Sequence, residues 1–133
     1  ETYDPEELSL EEGKLFLEKQ CRWADVIVLG PGLGREPYVC DLVEQILADA
    51  FVPIVLDADG LNTVASHPYL TRYFTENIII TPHMGEMARL CSCSVEQLKE
   101  DPVQAARSYS SRYGVVCVMK DAATVTADKD GNV

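Results

Sequence analysis

Four short apolar runs punctuate the chain: Val26-Ile27-Val28-Leu29, Ile54-Val55-Leu56 after Pro53, Ile78-Ile79-Ile80, and Val115-Val116-Cys117-Val118-Met119. Each is short and rich in β-branched residues, so each reads as a strand covered on both faces. Between them the period lengthens. From Pro37, residues Val39, Leu42, Val43, Ile46, Leu47 and Ala50 recur at helical spacing. Helical turns are expected from Leu61 to Phe74, broken near Pro68, and a helix from Gly85 to Cys91. Ser94-Val95-Glu96-Gln97 has the form of a capping box. Pro102 opens a longer helix whose expected core face is Val103, Ala106, Ser110 and Tyr113. Upstream, Asp4 is placed to cap a helix that starts at Pro5, carries Glu6 and Glu7 in its first turn, and runs to about Gln20. Thr124 to Thr126 leads into a hairpin turn at Asp130-Gly131.

Strands alternating with helices predict an α/β fold: a three-layer, largely parallel sheet with right-handed crossovers, helices on both faces, and the start of a β-hairpin at its end. No repeat or linker interrupts residues 1–133, which read as a single domain.

Composition narrows the partners. Hydrophobic residues make up 47% of the 133, enough for a core. The formal net charge of -11 argues against a nucleic-acid partner, which would need clustered Lys and Arg. No apolar run approaches the roughly 20 residues that span a bilayer, so no membrane partner is expected. The first twelve residues are too acidic for a signal peptide, and five cysteines without a disulfide-like spacing suit a reducing cytoplasm. The chain starts without methionine and stops just past a turn, so it is expected to lack segments at both ends.

The chemistry-bearing residues gather where strands end, the usual ligand edge of an open α/β sheet. Gly30-Pro31-Gly32-Leu33-Gly34 offers close backbone approach and N–H groups for an anion, or simply a tight turn. It matches neither the G-x-G-x-x-G fingerprint nor a P-loop. Asp57 and Asp59 flank Ala58, as ligand acceptors, as groups that hold a metal through water, or with one of them capping the next helix. Asn62 could orient a ligand or close a turn. His83, in Thr81-Pro82-His83-Met84-Gly85-Glu86, could donate to a ligand oxygen, act as acid or base, or serve structure alone. Glu86 and Arg89 are three apart on one helix face and could pair with each other. Lys120, at the end of the fourth strand, could neutralise phosphate or face solvent, and Thr124 could bond a nucleotide. Cys91, Cys93 and His83 match no common zinc spacing.

Taken in order, four segments resemble the ADP-dependent NAD(P)H-hydrate dehydratases, carbohydrate kinase-like members of the ribokinase-like superfamily. They are Gly30–Gly34, Val55–Asn62, Thr81–Leu90 and Val118–Val125. The resemblance implies a ribokinase-like core and repair of damaged nicotinamide cofactors. In that reaction the hydrate of NADH or NADPH is phosphorylated by ADP, or by ATP in eukaryotic relatives, and phosphate is then eliminated. It assigns Gly32, Gly34, Asp59, Asn62, His83, Gly85, Glu86 and Arg89 to the hydrate. Lys120, Asp121, Ala122, Ala123 and Thr124 are assigned to the adenine nucleotide, with Mg²⁺ offsetting phosphate charge. It also implies a homo-oligomer. The family usually reads Lys-Gly-Ala where this chain has Lys120-Asp121-Ala122. Its Gly-x-Gly-Asp motif, with the catalytic aspartate, is expected beyond Val133, so these 133 residues alone are expected to be inactive and to contain no catalytic residue. A small-molecule kinase for a hydroxymethylpyrimidine, a thiazole alcohol or a sugar is the alternative, and a non-catalytic nucleotide-binding domain the second.

Overall fold

A computed structural model describes residues 11–133. The expected cap at Asp4 lies outside them. The chain runs through α1 (Glu11–Trp23), β1 (Ile27–Leu29), α2 (Pro37–Asp49), β2 (Ile54–Leu56), α3 (Ala58–Ser66), a 3-10 turn (Pro68–Tyr73) and β3 (Ile78–Ile80). It continues through α4 (Met84–Cys91), α5 (Val95–Glu100), α6 (Pro102–Tyr113), β4 (Val116–Met119) and β5 (Val125–Ala127). The elements follow the periods in the sequence. Val39, Leu42, Val43, Ile46 and Leu47 all turn inward from α2. Ser94 and Gln97 form the capping box reciprocally at the start of α5.

One sheet holds all five strands in the order β1-β2-β3-β4-β5. The first four are parallel, with Leu29, Leu56, Ile80 and Cys117 in one row. β5 returns antiparallel to β4, pairing Val125 with Met119. The segment Thr124–Thr126, expected to lead into the hairpin turn at Asp130-Gly131, overlaps this strand. The β4–β5 loop is thus itself a hairpin connection, and it contains the lysine segment. The expected turn at Asp130-Gly131 also forms, closed by the Asp128 carboxylate on the N–H groups of Asp130 (2.9 Å) and Asn132 (3.0 Å).

Among the described residues, the helices that link β1 to β4 lie on one side of the sheet. When strand order equals chain order, right-handed crossovers put every linking helix on the same side. Burial agrees: Leu29, Ile54, Leu56, Ile78, Ile80, Cys117 and Met119 are buried. Val55, Ile79, Val116 and Val118, on the opposite face, are only half-buried, and Val28 is 66% exposed. The apolar runs predicted the strands correctly. One correction concerns α6, where Val103 is exposed and Tyr109 buried. The buried stripe centres on Ala106, Tyr109 and Ser110, because the Ser110 hydroxyl is drawn inward to donate to the Ala127 carbonyl at 3.0 Å.

Glu44 fixes α2 against the 3-10 turn by accepting from the Tyr69 and Tyr73 hydroxyls and from Arg72. No helix among the described residues is long and apolar enough to cross a membrane.

Candidate functional site

The carboxyl ends of β1 to β4 stand side by side, so residues far apart in sequence become neighbours there. β1 leads straight into Gly30, whose φ of +130° lies in a region that side chains rarely adopt. A Cβ on Gly30 would fall 1.8 Å from the Asp57 carbonyl oxygen, and one on Gly60 would fall 2.9 Å from the Leu29 carbonyl. Two facing glycines thus let the start of α3 press directly onto the end of β1.

α3 begins at once after β2. Asp57 caps it by accepting from the Ala58 N–H at 2.9 Å. Ala58 takes φ +48°, uncommon for a residue with a Cβ, and its two flanking carboxylates have different partners. Asp57 receives the Lys120 ammonium at 3.0 and 3.3 Å. Asp59 accepts the Gly34 N–H at 3.0 Å, tying the glycine loop to α3. The capping reading of one aspartate is correct, but neither is merely solvated. Partial burial works to raise the Asp57 pKa and is outweighed. Hydrogen bonds from Lys120, the Ala58 N–H and Thr81, with the charge on Lys120, hold it below the usual carboxylate range.

His83 caps α4. Its Nδ1 accepts from the N–H groups of Gly85 (3.0 Å) and Glu86 (3.3 Å), so the ring proton sits on Nε2, which faces Glu86 Oε1 at 3.3 Å. Glu86 is buried at 5% exposure, and its Oε2 accepts the His83 N–H at 2.9 Å. Imidazole and carboxylate hold each other, while the ring itself stays exposed. The suggested Glu86–Arg89 pair does not form. Arg89 instead donates its Nε to Asn62 Oδ1 at 2.9 Å, joining α4 to α3.

Lys120 extends the β4 pairing beside His83 and donates its N–H to the Pro82 carbonyl at 2.8 Å. It is therefore neither a free lysine nor a fully buried one. Asp121, Ala122, Ala123 and Thr124 follow as exposed residues of the β4–β5 connection. Gly32 is also exposed and would meet nothing with an added Cβ.

The structure thus brings Gly34 to Asp59, Asn62 to Arg89, and His83 to Glu86 and Lys120. It leaves Gly32 and the 121–124 loop open. Sequence reasoning missed the Asp57–Lys120 bond, which spans 63 positions and carries no local signal. It also missed Arg35, which lines a cavity with Asn62 and Arg89. Among the described residues, no three His, Cys, Asp or Glu side chains converge as a metal cage. The arrangement offers backbone N–H groups, an exposed imidazole edge and two guanidinium groups to a polar or anionic ligand.

The family model described as NAD(P)H-hydrate dehydratase matches residues 5–133. The bifunctional NAD(P)H-hydrate repair enzyme Nnr of Moorella thermoacetica is 41% identical over 112 residues, covering 82% of this chain and 21% of that protein. The Nnr of Vibrio cholerae is 39% identical over 128 residues, covering 96% and 25%. The chain therefore spans between a fifth and about a quarter of the length of these relatives. Among solved structures, a ribokinase-like superfamily protein of Enterococcus faecalis shares the fold, with a TM-score of 0.74 at 23% identity over 88% of this chain and 40% of that one. An ADP/ATP-dependent NAD(P)H-hydrate dehydratase of Bacillus subtilis, co-crystallised with ATP/Mg²⁺, gives 0.64 at 26% identity over 86% and 41%. With residues 5–133 of this chain matched by the family model and the motif residues assembled at one sheet edge, this chain belongs to the NAD(P)H-hydrate dehydratase family.

Proposed function

We propose that these residues form part of an enzyme that restores hydrated NADH or NADPH, using ADP or ATP as phosphoryl donor. The observation that carries this reading is the row of tied groups along four adjacent strand ends, running from Gly34–Asp59 through His83–Glu86 to Lys120–Asp57. Hydroxide is a poor leaving group and phosphate a good one. The added ring hydroxyl attacks the terminal phosphoryl group of the nucleotide, and the nucleotide shortened by one phosphate departs. The C–O bond then breaks, phosphate leaves with the bonding pair, and the neighbouring ring carbon loses a proton.

In this reading Gly32, Gly34, Asp59, Asn62, His83, Gly85, Glu86 and Arg89 surround the hydrate. His83 offers its exposed ring edge, and Glu86 sets its orientation. Lys120 and residues 121–124 receive the adenine nucleotide, on the opposite side of His83 from the glycine loop. Lys120 faces phosphate oxygens as a point charge held in place by Asp57. With no dedicated cage among the described residues, Mg²⁺ suits the site only as an ion carried on phosphate oxygens and water, which matches its preference. Bound there, it would offset phosphate charge.

The test is recovery of dihydronicotinamide absorbance when ADP or ATP with Mg²⁺ is added to hydrated NADH or NADPH and the full-length protein. Recovery with either nucleotide is expected. No recovery with both would reject the reading, and a stable phosphorylated product without recovery would point to a kinase.

A further inference from the structure

Next to the strand ends, a cavity of about 370 Å³ opens between the start of α2, the middle of α3 and the end of α4. Its walls include Arg35, Asn62, Ser66, His67 and Arg89, with Glu36 as the carboxylate among them. Of the 11 Lys and Arg, five (Lys14, Arg22, Arg72, Lys120 and Lys129) are held by a carboxylate. Among the described residues, Arg35 and Arg89 form no ion pair, although both line this one cavity.

Arg89 is partly oriented already. Its Nε is committed to Asn62 Oδ1, and its Nη1 lies 3.7 Å from where a Cβ on Gly85 would be. The guanidinium therefore reaches back along α4 with its terminal N–H groups still available. Asn62 keeps its amide N–H groups as further donors. Two guanidinium groups on one small cavity repel each other until an anion lies between them. The planar fork of each matches phosphate oxygens in pairs.

Position says which anion. Arg35 follows Gly34 directly, Asn62 is one turn beyond Asp59, and Arg89 is one turn beyond Gly85. The cavity thus continues the hydrate side of the site, whereas the 121–124 loop lies beyond β4. We infer that the Arg35–Arg89 cavity binds a phosphate of the damaged dinucleotide while its ring lies at Gly34 and His83. This rests on the dehydratase reading above. The phosphate is either the linking pyrophosphate or the ribose 2′-phosphate.

The experiment uses the active full-length enzyme with Arg35→Ala, Arg89→Ala and the double substitution, and measures kinetics with NADH hydrate, NADPH hydrate and the nucleotide. Each single change is expected to raise KM for hydrate roughly tenfold, as for a lost charge-assisted bond, and to affect kcat less. A rise with both hydrates identifies the pyrophosphate, and a rise with NADPH hydrate alone identifies the 2′-phosphate. Unchanged KM for both hydrates, or a rise for the nucleotide instead, overturns the inference. Unchanged circular dichroism would separate lost binding from lost folding. Titrating inorganic pyrophosphate or 2′,5′-ADP while following the arginine Nε–H resonances gives a readout that needs no turnover. Shifts of Arg35 and Arg89 would support the cavity even if the enzyme repaired nothing, and still resonances with both probes would count against it.

Discussion

Replacing Gly30 by alanine would set a methyl carbon 1.8 Å from the Asp57 carbonyl oxygen and 2.8 Å from the Gly60 N–H nitrogen. Ordinary contact begins at 3.4 Å, so the two backbones must part by about 1.6 Å, and no flexible side chain can absorb that. Overpacking of this kind costs about 1–3 kcal/mol, and a side chain at φ +130° adds roughly another 1–2 kcal/mol of backbone strain. A loss of about 2–5 kcal/mol is expected, equivalent to roughly 10 °C or more in Tm for a domain of this size. Gly32 is the internal control. Its φ is +76° but nothing lies within 4 Å of an added Cβ, so Gly32→Ala should cost only the conformational part, about 1 kcal/mol. Urea unfolding of both variants, followed by circular dichroism, measures the difference. Equal losses in the two, or a Gly30→Ala loss below about 1 kcal/mol, would refute the claim that this junction is sterically closed.

Other outcomes follow from the same geometry. Lys120→Met should lower turnover of the full-length enzyme by roughly a hundredfold, as loss of a preorganised charge does. Its stability should fall by less than about 1 kcal/mol, since Lys120 and Asp57 side chains are 45% and 30% exposed; a large shift in urea midpoint with turnover intact would contradict this. The Asp57 pKa is depressed in the folded state, so its stabilisation is present above the unfolded value of about 3.9 and is lost as pH falls through the folded value. Asp57→Asn should therefore flatten the loss of stability below about pH 4, and parallel wild-type and variant curves would exclude the effect. Burial pushes the Cys117 thiol up to about 12, helped by the neighbouring Cys91. Iodoacetamide at neutral pH should leave it unmodified until the protein unfolds, as peptide mass spectrometry would show.

What the sequence disclosed depended on the range over which each signal acts. The β-branched runs and the α2 stripe are local, and they placed four strands and the longest buried helix face correctly. The Ser94 capping box and the histidine at the head of α4 were equally local. The pairing of Val125-Thr126-Ala127 with β4 escaped because that segment is short and its partner is recognised only across the sheet. A strand's composition reports the need for burial, whereas topology decides which side each linking helix takes. At the site, spacing showed that Glu86 and Arg89 share a helix face but not that each prefers a partner elsewhere. Arg35 had no local mark at all, since only the folded cavity sets it beside Arg89.

The one-way strand order also bears on how the protein is made. From β1 to β4, each strand pairs with the one synthesised just before it, and none has to wedge between two that have already joined. The parallel part of the sheet can lengthen from one edge as the nascent chain emerges, adding a strand-and-helix unit at a time. Such stepwise growth limits the entropy lost in closing each loop. Lys120 is then the last tied group at the strand ends to arrive. Until β4 docks, Asp57 lacks its counter-ion, so an unfinished chain holds the glycine loop and the α4 cap before the Asp57 carboxylate is paired.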